Sequence, residues 1–225
     1  MQILDVVIHT DNLVETENFY SKVLDLKIKS KDQDAISFLI GSSTLTFLKS
    51  VAESPKYHLA FNIPDNKIKE AIDWVSKKVP LISIEDNEII AHFDDWNAKS
   101  IYFYDSKGNI LEFIVRFNLN NPSDRPFDSK SILSLNEIGV VTDQPLAFTE
   151  SLIRNYGLEY FWGGPKREDF VAVGDDNGLF VIAIPNRNWY PTELPSEKHY
   201  VKITFTKNGV TKQITVNERG DRLNN

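Results

Sequence analysis

Ile101-Tyr102-Phe103-Tyr104-Asp105-Ser106-Lys107-Gly108-Asn109-Ile110-Leu111-Glu112-Phe113 has the form of two strands around a turn. Asp105-Ser106-Lys107-Gly108 is the turn signal, with Gly at the position that needs positive φ. It joins the runs Ser100–Tyr104 and Asn109–Arg116. Between Asn109 and Arg116 the second run is apolar except where Glu112 falls between Ile110 and Ile114 on one face. A carboxylate in that position is not buried ionised without a partner, because desolvating a lone charge is very costly. A divalent cation is one partner that removes the problem; Arg116, on the same face, is another.

On the N-terminal side of this hairpin stand a strand at Tyr57–Ile63, a helix at Asn66–Val79 and strands at Leu81–Glu85 and Glu88–Phe93. The helix has Ile68, Ala71, Ile72 and Val75 on one face, and Pro80 sits where a helix stop is expected. The same order opens the chain. Residues 3–9 read as a strand with Leu4, Val6 and Ile8 on a wholly apolar face. Asp11 or Asn12 caps a helix running to about Leu24, and short strands follow at Leu26–Ser30, Ala35–Ile40 and Thr44–Lys49. A third copy comprises Ile132–Val141, a helix at Leu146–Tyr156, and strands at Leu158–Trp162, Asp169–Val173 and Leu179–Pro185. Phe117–Lys130, polar and carrying Pro122 and Pro126, reads as a linker. Beyond a proline-rich loop, His199–Phe205 and Val210–Val216 form a hairpin around Asn208-Gly209, and the charged tail from Asn217 to Asn225 is expected to fray. The residues after 185 are too few for a fourth unit of about 50 residues. The periodicity therefore supports an α+β chain with repeats. The expected domains are 1–118, holding two paired modules, a linker at 119–130, and 131–225, holding the third module and the hairpin.

Two stretches carry a family resemblance. One is Asn12-Leu13…Asn18-Phe19-Tyr20…Leu24-Asp25-Leu26 after the opening strand; the other is the hairpin at 101–113. Together they resemble the vicinal oxygen chelate superfamily, which groups glyoxalase I, extradiol dioxygenases and bleomycin-resistance proteins. The hairpin is similar to that family's Y-F-x-D-P-x-G-N-x-x-E ending, with Ser106 where Pro is usual. The resemblance implies βαβββ modules forming a cupped mixed sheet with helices outside, two modules paired and a third belonging to an incomplete pair. It also implies metal ligands on the first and last strands of paired modules. Position by position, these are Asp5 where His is more usual, Thr46 where Glu occurs, His58, and Glu112. Thr46 is a poor ligand, which leaves Asp5, His58 and Glu112 as the implied set. The implied cofactor is a divalent metal: Fe(II), Mn or Zn. With one His the set is oxygen-rich, which favours Mn, Mg or Fe(II) over Zn. The implied function is a metal-dependent enzyme acting on a small oxygenated substrate, extradiol-dioxygenase-like or glyoxalase-like. The alternative is a metal-free protein that binds or sequesters a small molecule, as bleomycin-resistance proteins do.

His58 shares a strand face with Ala60 and Asn62, opposite Tyr57, Leu59, Phe61 and Ile63. His9 shares Asp5's face but lies about 13 Å along an extended strand, too far to share an ion. It can bind an anionic substrate group or shuttle a proton, or it simply packs at a strand end. Tyr102 and Tyr104 point the same way from one strand, as phenolic donors or as aromatic bodies with a wet tip. His92 and Trp96 can reach a cleft mouth or sit on an exposed strand end. The third module offers Asn136 and Glu137 on its first strand and no carboxylate on its last. No second metal site is expected from it; it completes a sheet or covers the first site. Tyr160-Phe161-Trp162 is a ligand lid or a plain strand end.

Composition narrows the rest. The 225 residues carry 25 Lys+Arg against 32 Asp+Glu, a formal charge of −7. That balance argues against a nucleic-acid partner and against docking on anionic lipid. With no Cys there is no disulfide and no thiolate ligand. There is no Gly-rich phosphate loop and no G-x-S-x-G elbow. The first residues do not read as a signal peptide and no apolar run approaches the ~20 residues of a membrane span. The expected setting is the cytoplasm, the expected partner a small molecule, and a homodimer is open.

Overall fold

The turn at 105–108 is built by one carboxylate. Asp105 accepts from the backbone N–H of Lys107 at 2.8 Å and of Asn109 at 2.9 Å, and from the Asn109 side chain at 2.7 Å. It also accepts from Tyr20 Oη at 2.9 Å, which ties the hairpin to the first module. Gly108 closes the turn at φ +80°, a conformation side chains resist. In the computed structural model, which describes residues 1–50 and 54–223, this hairpin belongs to the second of two mixed sheets.

The elements run β1 (Gln2–Thr10), α1 (Leu13–Glu17), β2 (Ile28–Lys31), β3 (Ala35–Ile40), β4 (Ser43–Lys49), β5 (His58–Asn62) and α2 (Ile68–Val75). They continue with β6 (Leu81–Ile82), β7 (Ala91–Phe93), β8 (Ala98–Tyr104), β9 (Ile110–Arg116), β10 (Ser134–Val141) and α3 (Pro145–Tyr156). The last are β11 (Phe170–Asp175), β12 (Gly178–Ala183), β13 (Val201–Lys207), β14 (Val210–Val216) and β15 (Arg222–Leu223). Asn12 caps α1, its Oδ1 accepting from Val14 N at 3.1 Å and Glu15 N at 3.2 Å. The helix then widens into a π-type turn over Asn18–Val23 that buries Phe19 and Tyr20.

The first sheet has the order β15-β14-β13-β1-β4-β3-β2, and the second β11-β12-β10-β5-β9-β8-β6, with β7 on β8. Within each module the first and last strands are parallel neighbours: β1 with β4, β5 with β9, β10 with β12. The α+β repeat architecture is thus present, but its pairing differs from the expected one. Modules one and two do not share a sheet. The second module pairs with the third through antiparallel β5 and β10, and the first pairs with the C-terminal hairpin through antiparallel β1 and β13. Both interfaces join chain-distant first strands, which local periodicity cannot indicate. The two sheets share one apolar core, to which Val6, Ile8 and Phe47 contribute from the first and Leu59, Phe61, Phe113, Ile138 and Phe180 from the second.

Several local expectations shift. A bulge between Ile3 and Asp5 turns Ile3 rather than Leu4 into the core. Leu158–Trp162 is not a strand; only Tyr160 bridges Val173. The tail folds back, Arg222–Leu223 pairing with β14, and its last two residues lie outside the described ones. No helix among the described residues is long and apolar enough to cross a membrane.

Candidate metal centre

Strands β10, β5 and β9 lie side by side and form the floor of a cleft. Their registers set Glu137 beside Ala60 and Ala60 beside Glu112. Only a methyl group stands between the two acids, so their carboxylates converge above it. His58 lies on Ala60's face, two residues earlier on the same strand. Its Nε2 is 3.4 Å from Glu112 Oε2 and 4.0 Å from Glu137 Oε2. One ligand atom from each of the three residues falls within 4.8 Å of the others, and all three side chains are buried.

Glu137 reaches this face through a bulge. β10 carries an extra residue between Leu135 and Glu137 relative to β5. Regular alternation sends neighbours such as Asn136 and Glu137 to opposite faces, and a bulge relaxes that rule. Both side chains meet Arg116: its Nε donates to Asn136 Oδ1 at 2.7 Å and its Nη2 to Glu137 Oε1. Arg116 is fully buried, its guanidinium 5.6 Å from the centre of the Trp96 ring and 5.2 Å from that of Phe161.

The electrostatics of the cluster follow from burial. Burial, and then the neighbouring charge of Glu137, push the Glu112 carboxyl up to about 8, against hydrogen bonds from Ser100 and Tyr102 and the pull of Arg116. Burial raises Glu137 too, with Arg116 opposing. Burial lowers His58 to about 4, so its imidazole is neutral at neutral pH. Arg116 balances one acid; the other takes a proton unless a second cation is present. A neutral imidazole and two converged, buried carboxylates are the donor set a hard or borderline divalent cation requires. His58, Glu112 and Glu137 fit such an ion on these grounds.

Above the floor the cleft has a volume of about 270 Å³. Its walls are aromatic: the Trp189 ring is 5.4 Å from His58, and Tyr190 packs edge-on to Tyr102 at 5.9 Å. Gly139, on β10 beside His58, makes room for Trp189; a Cβ there would sit 2.9 Å from the indole. Tyr102 is buried and hydrogen-bonds Glu112, and Trp96 lines the cleft.

The structure brings together His58, Glu112 and Tyr102 but not the other expected residues. Asp5 is on the first sheet, half-buried near Lys29 and Lys202 and hydrogen-bonded to Thr46. It is therefore not a neighbour of His58, because its module pairs with the hairpin; Glu137 stands in the third position. His9 stacks on Tyr200 with ring centres 4.6 Å apart, outside the cleft. Tyr104 is exposed at the end of β8, and His92 is exposed on β7. His199 pairs with Glu197 at 3.3 Å, and Trp162 is exposed and does not line the cleft.

Comparison with known proteins agrees at the level of fold. No family model and no curated protein matches the sequence. Among solved structures, a Bacillus subtilis protein provisionally named a dioxygenase superposes with a TM-score of 0.59 at 15% identity, covering 96% of this chain and 84% of that one. Lactoylglutathione lyase from Agrobacterium tumefaciens matches at 20% identity over 50% of this chain and 92% of that one, with a TM-score of 0.39. The fosfomycin resistance protein FosX from Mesorhizobium loti matches at 21% identity over 50% and 88%, with a TM-score of 0.36. The chain has the vicinal oxygen chelate fold, the glyoxalase and dioxygenase-like architecture.

Proposed function

We propose that this chain is a metal-dependent enzyme whose substrate is a small oxygenated molecule held in the aromatic cleft above His58, Glu112 and Glu137. The convergence of these three buried ligand atoms within 4.8 Å carries the reading. The oxygen-rich set favours Mn or Fe(II) over Zn. His58, Glu112 and Glu137 would hold the ion, which when bound would supply Lewis-acid polarisation of substrate oxygens. The protein's own groups have separate tasks. Arg116 pairs with Glu137, opposes the rise that burial imposes on its carboxyl, and fixes its position on the floor. Ser100 and Tyr102 fix the Glu112 carboxylate, and the Tyr102 phenol keeps its proton because burial and Glu112 raise its pKa. Trp96, Trp189 and Tyr190 cover the floor and restrict water. The reaction follows the fold's two chemistries, ring-cleaving dioxygenation or glyoxalase-type isomerisation. Three ligands rather than four favour the first.

The test is direct. Protein loaded anaerobically with Fe(II) is assayed for oxygen uptake with catechol, and Mn-loaded protein for conversion of the hemithioacetal of methylglyoxal and glutathione. Turnover in one assay, lost in Glu137→Gln, supports the reading; no turnover in either rejects these two chemistries. One observation favours a second reading, metal-free sequestration of a small molecule. Arg116 already offsets Glu137, and Glu112 is protonated below about 8, so the cleft is electrically tolerable without an ion.

A further inference from the structure

We propose that the cleft takes a planar ligand of about one ring that carries an anionic group, which Arg187 and Arg167 bind at the mouth. The proposal rests on the reading above only in placing the ligand in the same cleft.

Three observations converge. First, charge is segregated along the cleft. Among its described lining residues the acids are Glu112 and Glu137, both on the floor beside the neutral His58, while the charged bases are Arg167 and Arg187. Second, the two guanidiniums share one carboxylate. Asp169 lies 3.0 Å from Arg167 Nε and 3.4 Å from Arg187 Nε, and the charges that act on Arg187 are those of Asp169 and Arg167. One positive charge is therefore left over, on a chain whose net charge is −7. Third, Arg187 is held in place. Its guanidinium lies 4.3 Å from the centre of the Phe170 ring, and Nη1 donates to the Asn188 carbonyl at 3.1 Å. The side chain is only 24% exposed, so an anion meeting it leaves water behind. A fixed, partly desolvated guanidinium is suited to a carboxylate or phosphate group. The volume of about 270 Å³ lies at or below the small end of ligand pockets, and its walls are aromatic faces, which sets the ring size.

Benzoate and its uncharged isostere benzamide test this. Both are titrated into the full chain by tryptophan fluorescence, after EDTA dialysis and again with Mn²⁺, for wild type, Arg187→Gln and Arg167→Gln, each checked by thermal melting. Benzoate is expected to bind about tenfold more tightly than benzamide, with or without Mn²⁺. Arg187→Gln should bring the two ligands within about twofold, and Arg167→Gln should shrink the ratio in part. If Arg187→Gln does not fold, the Arg167→Gln ratio decides. Equal binding, no saturable benzoate binding, or a preference that survives in the folded variants overturns the proposal. A preference seen only with Mn²⁺ also overturns it, since the carboxylate then sits on the ion. If Mn²⁺ does not bind but the preference persists, the metal reading fails and the anion site stands.

Discussion

Asp5 and Glu112 are both strand carboxylates, one in each sheet, and their surroundings differ. Asp5 is half-buried, with Lys29 and Lys202 nearby and a hydrogen bond from Thr46. Glu112 is buried beside a second carboxylate, in a cleft whose aromatic side chains include Trp189 and Tyr190. The contrast follows from what completes each sheet. The chain of the third module and the segment after it place Pro165, Phe170 and Trp189 around its neighbour's floor, whereas the C-terminal hairpin adds β13, β14 and β15 to the first sheet. A carboxylate on a strand becomes a candidate metal ligand when the partner module both supplies a second acid and roofs the pair.

The largest expected effect separates the two environments by stability. Arg116→Met leaves Glu137 without its cation in dry surroundings and should cost about 3–5 kcal/mol in urea unfolding of the metal-free protein. Lys202→Met, beside half-exposed Asp5, should cost under about 1 kcal/mol. Similar losses at both positions would mean that burial is not what distinguishes the sheets.

The next effect is on metal affinity. Glu137→Gln should weaken Mn²⁺ binding at least about 100-fold, a loss of roughly 2.7 kcal/mol, while Asp5→Asn should leave it within about twofold. Calorimetric titration of the two variants side by side reads this out. A large loss in Asp5→Asn would return the site to the arrangement expected from sequence alone.

A smaller effect appears in pH dependence. The Glu112 carboxyl is raised from an ordinary 4.5 to about 8, so its stability contribution in the metal-free protein is fully present below 4.5 and lost as pH rises through about 8. His58 is lowered from 6.5 to about 4, so its contribution is full above 6.5 and lost as pH falls toward 4. Of these two groups only Glu112 acts between pH 6.5 and 8, and its contribution to metal-free stability should fall by at most about 1.4 kcal/mol per pH unit. Glu112→Gln should flatten that slope, and saturating Mn²⁺ should remove it, because the ion holds the acid ionised as it is in the unfolded chain. A flat wild-type profile would show that Glu112 is already ionised without metal.

How much of this was legible in the sequence depends on the range of the cause. The turn at 105–108, the strand face of His58 and the isolation of Glu112 among Ile110 and Ile114 follow from local pattern, and the structure shows all three. Arg116 was likewise visible as a partner on Glu112's strand face, though its closest acid is Glu137. Glu137 itself reads from the sequence only as a residue of the third module's first strand. Its place depends on the pairing of β5 with β10 and on a bulge that breaks the two-residue period. Trp189, Tyr190 and Arg187 sit in an irregular proline-rich segment, where no periodicity marks which side chains turn inward.

The metal content of wild-type protein purified without chelator, measured beside Glu137→Gln, tests the central claim most directly. About one equivalent of Mn or Fe per wild-type chain, largely absent from the variant, and a melting temperature that rises with added Mn²⁺ only in wild type, is the expected result. Less than about a tenth of an equivalent, with no thermal shift on adding Mn²⁺, Fe(II) or Zn²⁺, would contradict it and leave a metal-free binding cleft.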